Sequence, residues 1–285
     1  MTTIVIPTVD RVDLLRRCLT GLAAEDVLVV HDGNAGIVAL LAELEVTGLQ
    51  IAEPGVSAKR NAGWRQATSE VVAFTDDDCE PAPGWLRALT AVNADLVAGP
   101  VTPHPADPAG GRWDRTVTAT GPGFYPGCNL LVRRAFLDKV GGFDTDLDGG
   151  EDTDLVCRVR KAGAVVGWAA DATVWHAVRP QTFAEQLRSL PRWAGLPRVV
   201  GRHPELRALA YKQWFWKASH PVALLALLSV VGSVKDRRIL LGAVPLLASR
   251  LKEHGLQGGV EHAINDVAEV AVLVGGSARH RSVLL

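Results

Sequence analysis

Short apolar runs and helical repeats of apolar residues alternate along the first 180 residues of the chain. Residues 4–6, 27–30 and 71–74 have the length and composition of buried strands. Between such runs, apolar residues recur at helical spacing, as they do over residues 57–67 and 85–92. Alternation of this kind predicts βαβ units, and therefore an α/β fold with a mostly parallel sheet flanked by helices.

The pattern changes after about residue 180. Strand signals end there, and helical spacing dominates the rest of the chain, for example over residues 205–216 and 263–274. We therefore predict two domains, an α/β domain over residues 1–180 and a helical extension over residues 181–285. A Pro- and Gly-rich stretch over residues 100–126 is predicted to be a long loop of the first domain.

Two short apolar helices are predicted inside the extension, on either side of a charged turn at residues 235–238. A helix over residues 222–234 is about 20 Å long, which is short of the roughly 30 Å hydrocarbon layer of a bilayer. Burial against the first domain or against a second copy in a homodimer is the favoured interpretation. Peripheral membrane contact through residues 220–250 is the alternative.

Composition excludes some classes of protein. The chain has 30 basic and 31 acidic residues, so its net charge of −1 gives no electrostatic reason to expect a nucleic-acid partner. Its four cysteines are scattered and form no CxxC pair, which is typical of reduced thiols in the cytoplasm. The first residues lack the pattern of a signal peptide. We therefore expect a cytoplasmic protein, with any membrane contact on the inner face.

Three consecutive aspartates, Asp76, Asp77 and Asp78, follow the apolar run 71–74 directly. Like charges at the end of a strand repel one another unless a cation lies among them, and oxygen ligands favour Mg²⁺ or Mn²⁺. On extended backbone, Asp76 and Asp78 would face one site and Asp77 would face elsewhere. A polar turn is the alternative, because prolines and a glycine follow at once.

The usual phosphate-binding loops are absent from the sequence. The first strand leads into Pro7 and Thr8 without a GxGxxG pattern, and no GxxxxGK[ST] pattern occurs. Any diphosphate would therefore be held mainly through a metal ion. Because ligands of parallel sheets bind beyond the carboxyl ends of the strands, Asp32 and the aspartate triplet are expected to share one site.

Six segments, in this order along residues 1–180, resemble those of glycosyltransferase family 2. They are Ile4-Val5-Ile6-Pro7-Thr8, Val29-Val30-His31-Asp32-Gly33, Ala58-Lys59-Arg60-Asn61-Ala62-Gly63, Phe74-Thr75-Asp76-Asp77-Asp78, Gly141-Gly142-Phe143-Asp144 and Gly150-Glu151-Asp152. The resemblance implies a GT-A fold and transfer of a sugar from a nucleotide-sugar donor, with a UDP-sugar favoured. One departure is His31, where the family commonly has a second acidic residue, and it leaves the nucleobase open.

The resemblance also implies roles for individual residues. Those expected around the donor nucleotide are Thr8, Asp10, Asp32, Lys59, Arg60, Asn61, Asp76 and Asp77. Asp78 would be the main ligand of Mn²⁺ or Mg²⁺, with Asp76 and His176 completing the metal site. The alternatives are an exposed helix face for Lys59 and Arg60 and a purely structural role for His176.

The second acidic cluster, residues 151–154, precedes a helical run. Carboxylates are favoured in the first turn of a helix, so capping is one interpretation. The resemblance implies that Asp152 is instead the general base of an inverting transfer. Ser189 replaces the glutamine of the QxxRW motif found in processive synthases, so a non-processive enzyme with an unknown acceptor is expected. The alternatives are a nucleotidyltransferase and an inactive sugar-nucleotide-binding protein.

Overall fold

The computed structural model describes residues 1–22, 25–108, 110–123, 125–147 and 149–285. Internal contacts divide the chain into two compact units. The first, here called the sheet unit, comprises Met1–Gly110, Asp114–Leu147 and Glu151–Arg179. The second, here called the helical unit, comprises Gly111–Trp113, Asp148–Gly150 and Pro180–Leu285.

A seven-stranded sheet forms the centre of the sheet unit in the described residues. Its strands, in spatial order, are β3 (Thr47–Gln50), β2 (Asp26–His31), β1 (Thr2–Pro7), β4 (Val71–Phe74), β8 (Leu130–Arg133), β6 (Leu96–Ala98) and β9 (Val166–Trp168). Only β8 runs antiparallel to its neighbours, β4 and β6, among the described pairings. The predicted α/β fold with a mostly parallel sheet is therefore confirmed.

Helices cover both faces of this sheet. The helices of the sheet unit are α1 (Val12–Thr20), α2 (Ala35–Glu43), α3 (Val56–Gln66), α4 (Trp85–Ala91), α5 (Arg134–Val140) and α6 (Glu151–Lys161). Because successive strand residues point to opposite faces, Ile4 and Ile6 enter one core with Leu15, whereas Val5 enters the other with Trp64. Burial on both faces explains why the strands are apolar runs without alternation.

A second, three-stranded sheet was not predicted in full. It consists of β5 (Cys79–Pro81), β10 (Val174–His176) and β7 (Val101–Pro103). Strands β5 and β7 fall in stretches predicted as a turn and a loop, because three residues that include a proline give almost no strand signal. Pairing of β10 with β5 sets His176 opposite Cys79, directly after the aspartate triplet.

The helical unit contains no strand of the two sheets in its described residues. Its helices are α7 (Phe183–Ser189), a 3₁₀ helix Leu190–Gly195, α8 (Leu196–Arg202), a 3₁₀ helix Pro204–Leu209, α9 (His220–Gly232), a 3₁₀ helix Arg237–Ala243 and α10 (Val244–His280). Helix α10 kinks at Gly255, whose φ of 71° is outside the helical region.

One prediction for this part of the chain is wrong. No α-helix covers residues 205–216, because a 3₁₀ helix ends at Leu209 and the backbone of Trp214 and Trp216 bonds to that of Leu285 at 2.8 and 2.6 Å. Burial of the apolar helices stays a prediction, and in the single chain Leu228 and Val231 of α9 are 60% and 64% exposed. Within the described residues, no helix is both long and apolar enough to cross a bilayer.

Gly63 on α3 is a point of close approach between a helix and the main sheet. A Cβ at this position would overlap the side chain of Val5 and lie 3.1 Å from Cγ2 of Val30. We expect Gly63→Ala to destabilise the protein by about 1–3 kcal/mol, as overpacking does. Thermal unfolding followed by circular dichroism would measure this as a lowered midpoint.

Gly275→Ala on α10 is the matched control. A Cβ there meets no atom within 4 Å, so this change should stabilise the helix by ~0.5–1 kcal/mol. Equal midpoints for the two variants would contradict close packing of α3 on the sheet.

Candidate active site

The aspartate triplet forms a turn rather than a continuation of strand β4. The backbone N–H of Cys79 donates to the carbonyl of Asp76 at 3.0 Å, and β5 begins at Cys79. The prediction that Asp76 and Asp78 face one site while Asp77 faces elsewhere is therefore wrong. Asp77 and Asp78 share one guanidinium, whereas Asp76 pairs with another. Strand alternation ends where the backbone turns.

Arg11, directly before helix α1, supplies the first of these guanidinium groups. It forms ion pairs with both Asp77 and Asp78, and its Nε donates to Oδ2 of Asp77 at 3.2 Å. The hydroxyl of Thr8 donates to the same oxygen at 2.7 Å. Asp77 is fully buried, and burial raises its pKa to about 7 although Arg11 and Thr8 oppose this shift. These bonds join the end of β1 to the turn after β4.

Asp78 lies between Arg11 and His176. Burial favours its neutral form, but the charges of His176, Arg11 and Arg179 outweigh burial, so the pKa of Asp78 lies below its usual value. Nδ1 of His176 is 2.8 Å from the carbonyl oxygen of Ala177. Because a carbonyl can only accept, Nδ1 carries a proton. The protonated ring pairs with Asp78 through Nε2, whereas the neutral ring presents a lone pair there. This Nε2 lies 3.6 Å from Oδ1 of Asp78.

These two acceptors fit a divalent cation. Ligand atoms of Asp78, Cys79 and His176 all lie within 4.8 Å of one another. A carboxylate oxygen beside an imidazole lone pair is a donor set that suits Mn²⁺. Cys79 is an unfavourable third ligand, because burial raises the pKa of its thiol well above the usual value. In the described residues Asp76 is absent from this cluster, which does not support its predicted role as a ligand.

Arg60 on helix α3 joins the triplet to the second acidic cluster. Its Nη2 donates to Asp76 at 2.7 Å and its Nη1 donates to Glu151 at 3.1 Å. Burial disfavours the charged guanidinium, but the carboxylates of Asp76, Glu151 and Asp152 outweigh burial and raise the pKa of Arg60. The predicted alternative of an exposed helix face is wrong for Arg60, because 3% of its side chain is exposed.

Glu151 and Asp152 begin helix α6. Burial and the charge of Asp152 raise the pKa of Glu151 to about 7, against the effect of Arg60. Oδ2 of Asp152 accepts from the backbone N–H of Gly127 at 3.0 Å, and Oδ1 accepts from that of Thr153 at 2.6 Å. Asp152 is therefore held by a loop outside its own helix, a contact that helix capping alone does not require.

Asn61 is engaged with the protein's own backbone. Its Nδ2 donates to the carbonyl of Phe143 at 2.8 Å, and its Oδ1 accepts from the N–H of Phe143 at 2.8 Å. Oδ1 also accepts from Nε1 of Trp64 at 3.0 Å. These bonds hold the Gly142-Phe143 turn in place. Asn61, which was predicted to lie beside the nucleotide, therefore has a structural role.

The remaining predicted residues are less tightly held. Asp10 and Asp32 are exposed, and Oδ1 of Asp32 accepts from the N–H of Asn34 at 3.4 Å. Lys59 is buried at 3% exposure, and within the described residues its ammonium has no ion-pair partner. His31 is buried, and its Nδ1 accepts from the N–H of Gly33 at 3.1 Å. This histidine therefore supports the turn that presents Asp32.

Sequence reasoning missed Arg11 and gave Glu151 no separate role. The only signal for Arg11 is physical, since buried neighbouring carboxylates require a cation and Arg11 follows the first strand. The site thus brings together the carboxyl ends of β1, β4 and β10, the middle of α3 and the start of α6, around Arg11 and Arg60. It is acidic and suited to a hard cation.

Comparison with known proteins identifies the family of the chain. The model of glycosyl transferase family 2 matches residues 3–127, and that of glycosyl transferase family group 2 matches residues 114–249. The chain therefore belongs to glycosyltransferase family 2. This confirms the family that the sequence predicted.

Individual relatives are similar over much of the chain. Pre-mycofactocin glycosyltransferase of Mycobacterium tuberculosis is 30% identical over 230 residues, which is 72% of this chain and 49% of that protein. The chain thus spans about half the length of this relative. Glycosyltransferase AglE of Haloferax volcanii is 27% identical over 219 residues, covering 65% of this chain and 69% of AglE.

Solved structures share the fold. Mannosyltransferase PcManGT from Pyrobaculum calidifontis, in complex with GDP-Man and Mn²⁺, has a TM-score of 0.60 at 17% identity, over 98% of this chain and 86% of that one. TarS of S. aureus has a TM-score of 0.50 at 16% identity, over 97% and 55% of the respective chains.

Neutralisation by Arg11 can be tested on the protein without metal. We expect Arg11→Met to lower the thermal midpoint, because two buried carboxylates lose their cation. The loss should lie near the lower end of the roughly 3–5 kcal/mol typical of a broken buried pair, since 32% of the Arg11 side chain is exposed. Mn²⁺ should restore stability to this variant more than it stabilises the wild type.

Arg16→Met, on helix α1, is the matched control. Arg16 pairs with Glu43 at 2.6 Å on the surface, where ion pairs contribute little, so its midpoint should hardly change. If the Arg11 variant were as stable as the Arg16 variant without metal, Arg11 would not be the neutralising group.

Proposed function

We propose that this chain is a metal-dependent, inverting and non-processive glycosyltransferase that moves a sugar from a nucleotide-sugar to an acceptor hydroxyl. The observation that carries the proposal is the pair formed by the Asp78 carboxylate and the Nε2 lone pair of His176, 3.6 Å apart. A carboxylate oxygen and an imidazole lone pair at this distance can bind one divalent cation between them. Such a cation is what a departing diphosphate also requires.

The donor would lie at the carboxyl ends of β1, β2 and β4. Asp78 and His176 would hold Mn²⁺ or Mg²⁺, which when bound supplies Lewis-acid stabilisation of the leaving diphosphate. Asp10 and Asp32 are exposed beside this edge and are free to accept from the base or ribose. Lys59 is a buried cation without an ion pair in the described residues, which suits it to an anionic ligand.

On the acceptor side, we assign Asp152 as general base. Its Oδ2 is oriented by the N–H of Gly127, and its neighbour Glu151 is tied through Arg60 to Asp76. One carboxylate that removes the proton of the attacking hydroxyl is sufficient for inversion. The third acid of the cluster, Asp154, is fully buried and accepts from Nε of Arg158 at 2.7 Å, which makes it structural.

Domain roles follow the same proposal. Residues 1–180 would form the catalytic domain, and residues 181–285 an extension that helps to select the acceptor. The four cysteines are free and buried, which suits a reducing compartment. Homodimer formation is not part of the proposal.

Nucleotide release from UDP-, GDP- and dTDP-sugars, with and without Mn²⁺, tests the donor and the metal together. We expect release from a UDP-sugar that requires Mn²⁺. GDP-mannose belongs in the panel because the similar PcManGT was solved with GDP-Man and Mn²⁺. Release that is independent of metal for every donor would refute the metal role, and release from none would refute the transferase.

Asp152→Asn tests the base. It should leave donor affinity unchanged by calorimetry, because the isosteric amide can still accept from the N–H of Gly127 through its oxygen. It should slow transfer by about 10²–10⁴-fold, as expected on losing a general base. Asp171→Asn is the control, since Asp171 is exposed. Transfer at the wild-type rate in the Asp152 variant would remove this residue from the base role.

A further inference from the structure

Helix α9 in the helical unit exposes an apolar face. It has no charged residue over its 13 positions. Ala223 and Ala226 are buried on one side, whereas Leu225, Leu228 and Val231 are 48%, 60% and 64% exposed on the other. Surface helices of globular proteins normally carry charged residues on the exposed face. An entirely uncharged exposed face indicates that something covers it.

The same character continues beyond the helix. Val234, between α9 and the 3₁₀ helix Arg237–Ala243, is 89% exposed, and Leu241 within that 3₁₀ helix is 71% exposed. Val244 and Leu247 at the start of α10 are also exposed. We call the whole set the apolar surface; it consists of Val222, Leu225, Leu228, Val230, Val231, Val234, Ile239, Leu240, Leu241, Val244 and Leu247.

A basic turn lies within this surface. Lys235, Arg237 and Arg238 are exposed. The carboxylate of Asp236 is used internally, because it accepts from the backbone N–H of Arg238 at 2.9 Å. In the part of the chain that the structure describes, none of the three cations has an ion-pair partner. Three free cations among exposed aliphatic side chains are typical of a membrane-surface segment.

Charge is divided unequally along the sequence. Residues 181–285 contain 14 basic and 7 acidic residues, a formal net charge of +7. Residues 1–180 contain 16 basic and 24 acidic residues, a net charge of −8. The nearly neutral total therefore hides a strongly basic extension. Such an excess favours an anionic partner.

We propose that the apolar surface inserts into the headgroup region of an anionic phospholipid bilayer, with the basic turn contacting lipid phosphates. The segment would lie in the interface without spanning it. A second copy of the chain is the less favourable occupant. A two-fold dimer sets the same patch of both chains face to face, which would bring two basic turns of like charge together.

Vesicle binding tests the proposal. The full chain should co-sediment with phosphatidylcholine vesicles that contain phosphatidylglycerol, and only weakly with phosphatidylcholine alone or in high salt. Arg237→Gln with Arg238→Gln should weaken binding about 25-fold, at roughly fivefold per basic residue. Val231→Ser with Leu241→Ser should weaken binding to both kinds of vesicle by at least about tenfold.

The control variants make the same kinds of substitution outside the apolar surface and the basic turn. Lys252→Gln with Arg279→Gln removes two exposed cations of α10, and Val165→Ser alters an exposed valine of the sheet unit. Both controls should bind within about twofold of the wild type, since substitutions outside the interface act mainly on stability. Unchanged donor affinity in every variant would show that the fold is intact.

Two results would overturn the proposal. One is equal binding to vesicles with and without anionic lipid, or equal loss in the control variants. The other is a dimer by light scattering that Val231→Ser with Leu241→Ser converts to a monomer, without vesicle binding in either form. In that case the apolar surface would be an interface between copies.

Discussion

Neutralisation of adjacent buried carboxylates is the constraint on which the candidate site depends. Asp77 and Asp78 are both buried, and such charges are stable in a protein only when they are paired and hydrogen-bonded. Arg11 provides the pairing from the start of α1. Because it must reach the turn after β4, the position of α1 and the turn at the end of β1 are tied to the site.

Arg60 neutralises buried carboxylates in the same way at the second acidic cluster. A buried guanidinium between Asp76 and Glu151 fixes the start of α6 relative to the triplet, and so also fixes Asp152 next to Glu151. The carboxylates of the triplet and of the start of α6 outnumber Arg11 and Arg60, the arginines that pair with them. The excess of negative charge is visible in the pKa values of about 7 for Asp77 and Glu151, although burial is the larger cause of both shifts. A further cation would lower the energy of this arrangement.

Sequence patterns predicted the main sheet well because its strands are buried on both faces and flanked by amphipathic helices. They located the triplet and Asp152 because those acids follow strand or precede helix signals. Strand β5 could not be predicted, since its three residues gain their structure from pairing with β10 rather than from propensity. The directions of the three aspartate side chains could not be predicted either, because they depend on the turn closed by the hydrogen bond from the N–H of Cys79 to the carbonyl of Asp76. No sequence motif marks Arg11, because its ion pairs with Asp77 and Asp78 form only when the chain folds.

Residues 1–180 and residues 181–285 have net charges of opposite sign. Under the proposed function, an anionic nucleotide-sugar would approach a segment of net charge −8, so we expect donor binding to be linked to metal binding. A segment of net charge +7 has the opposite tendency and needs no bridging ion to reach an anionic surface. Exposed aliphatic side chains beside Arg237 and Arg238 supply the short-range attraction that charge alone lacks. If both proposals hold, a chain with a net charge of −1 would bind two different anions by two different physical means.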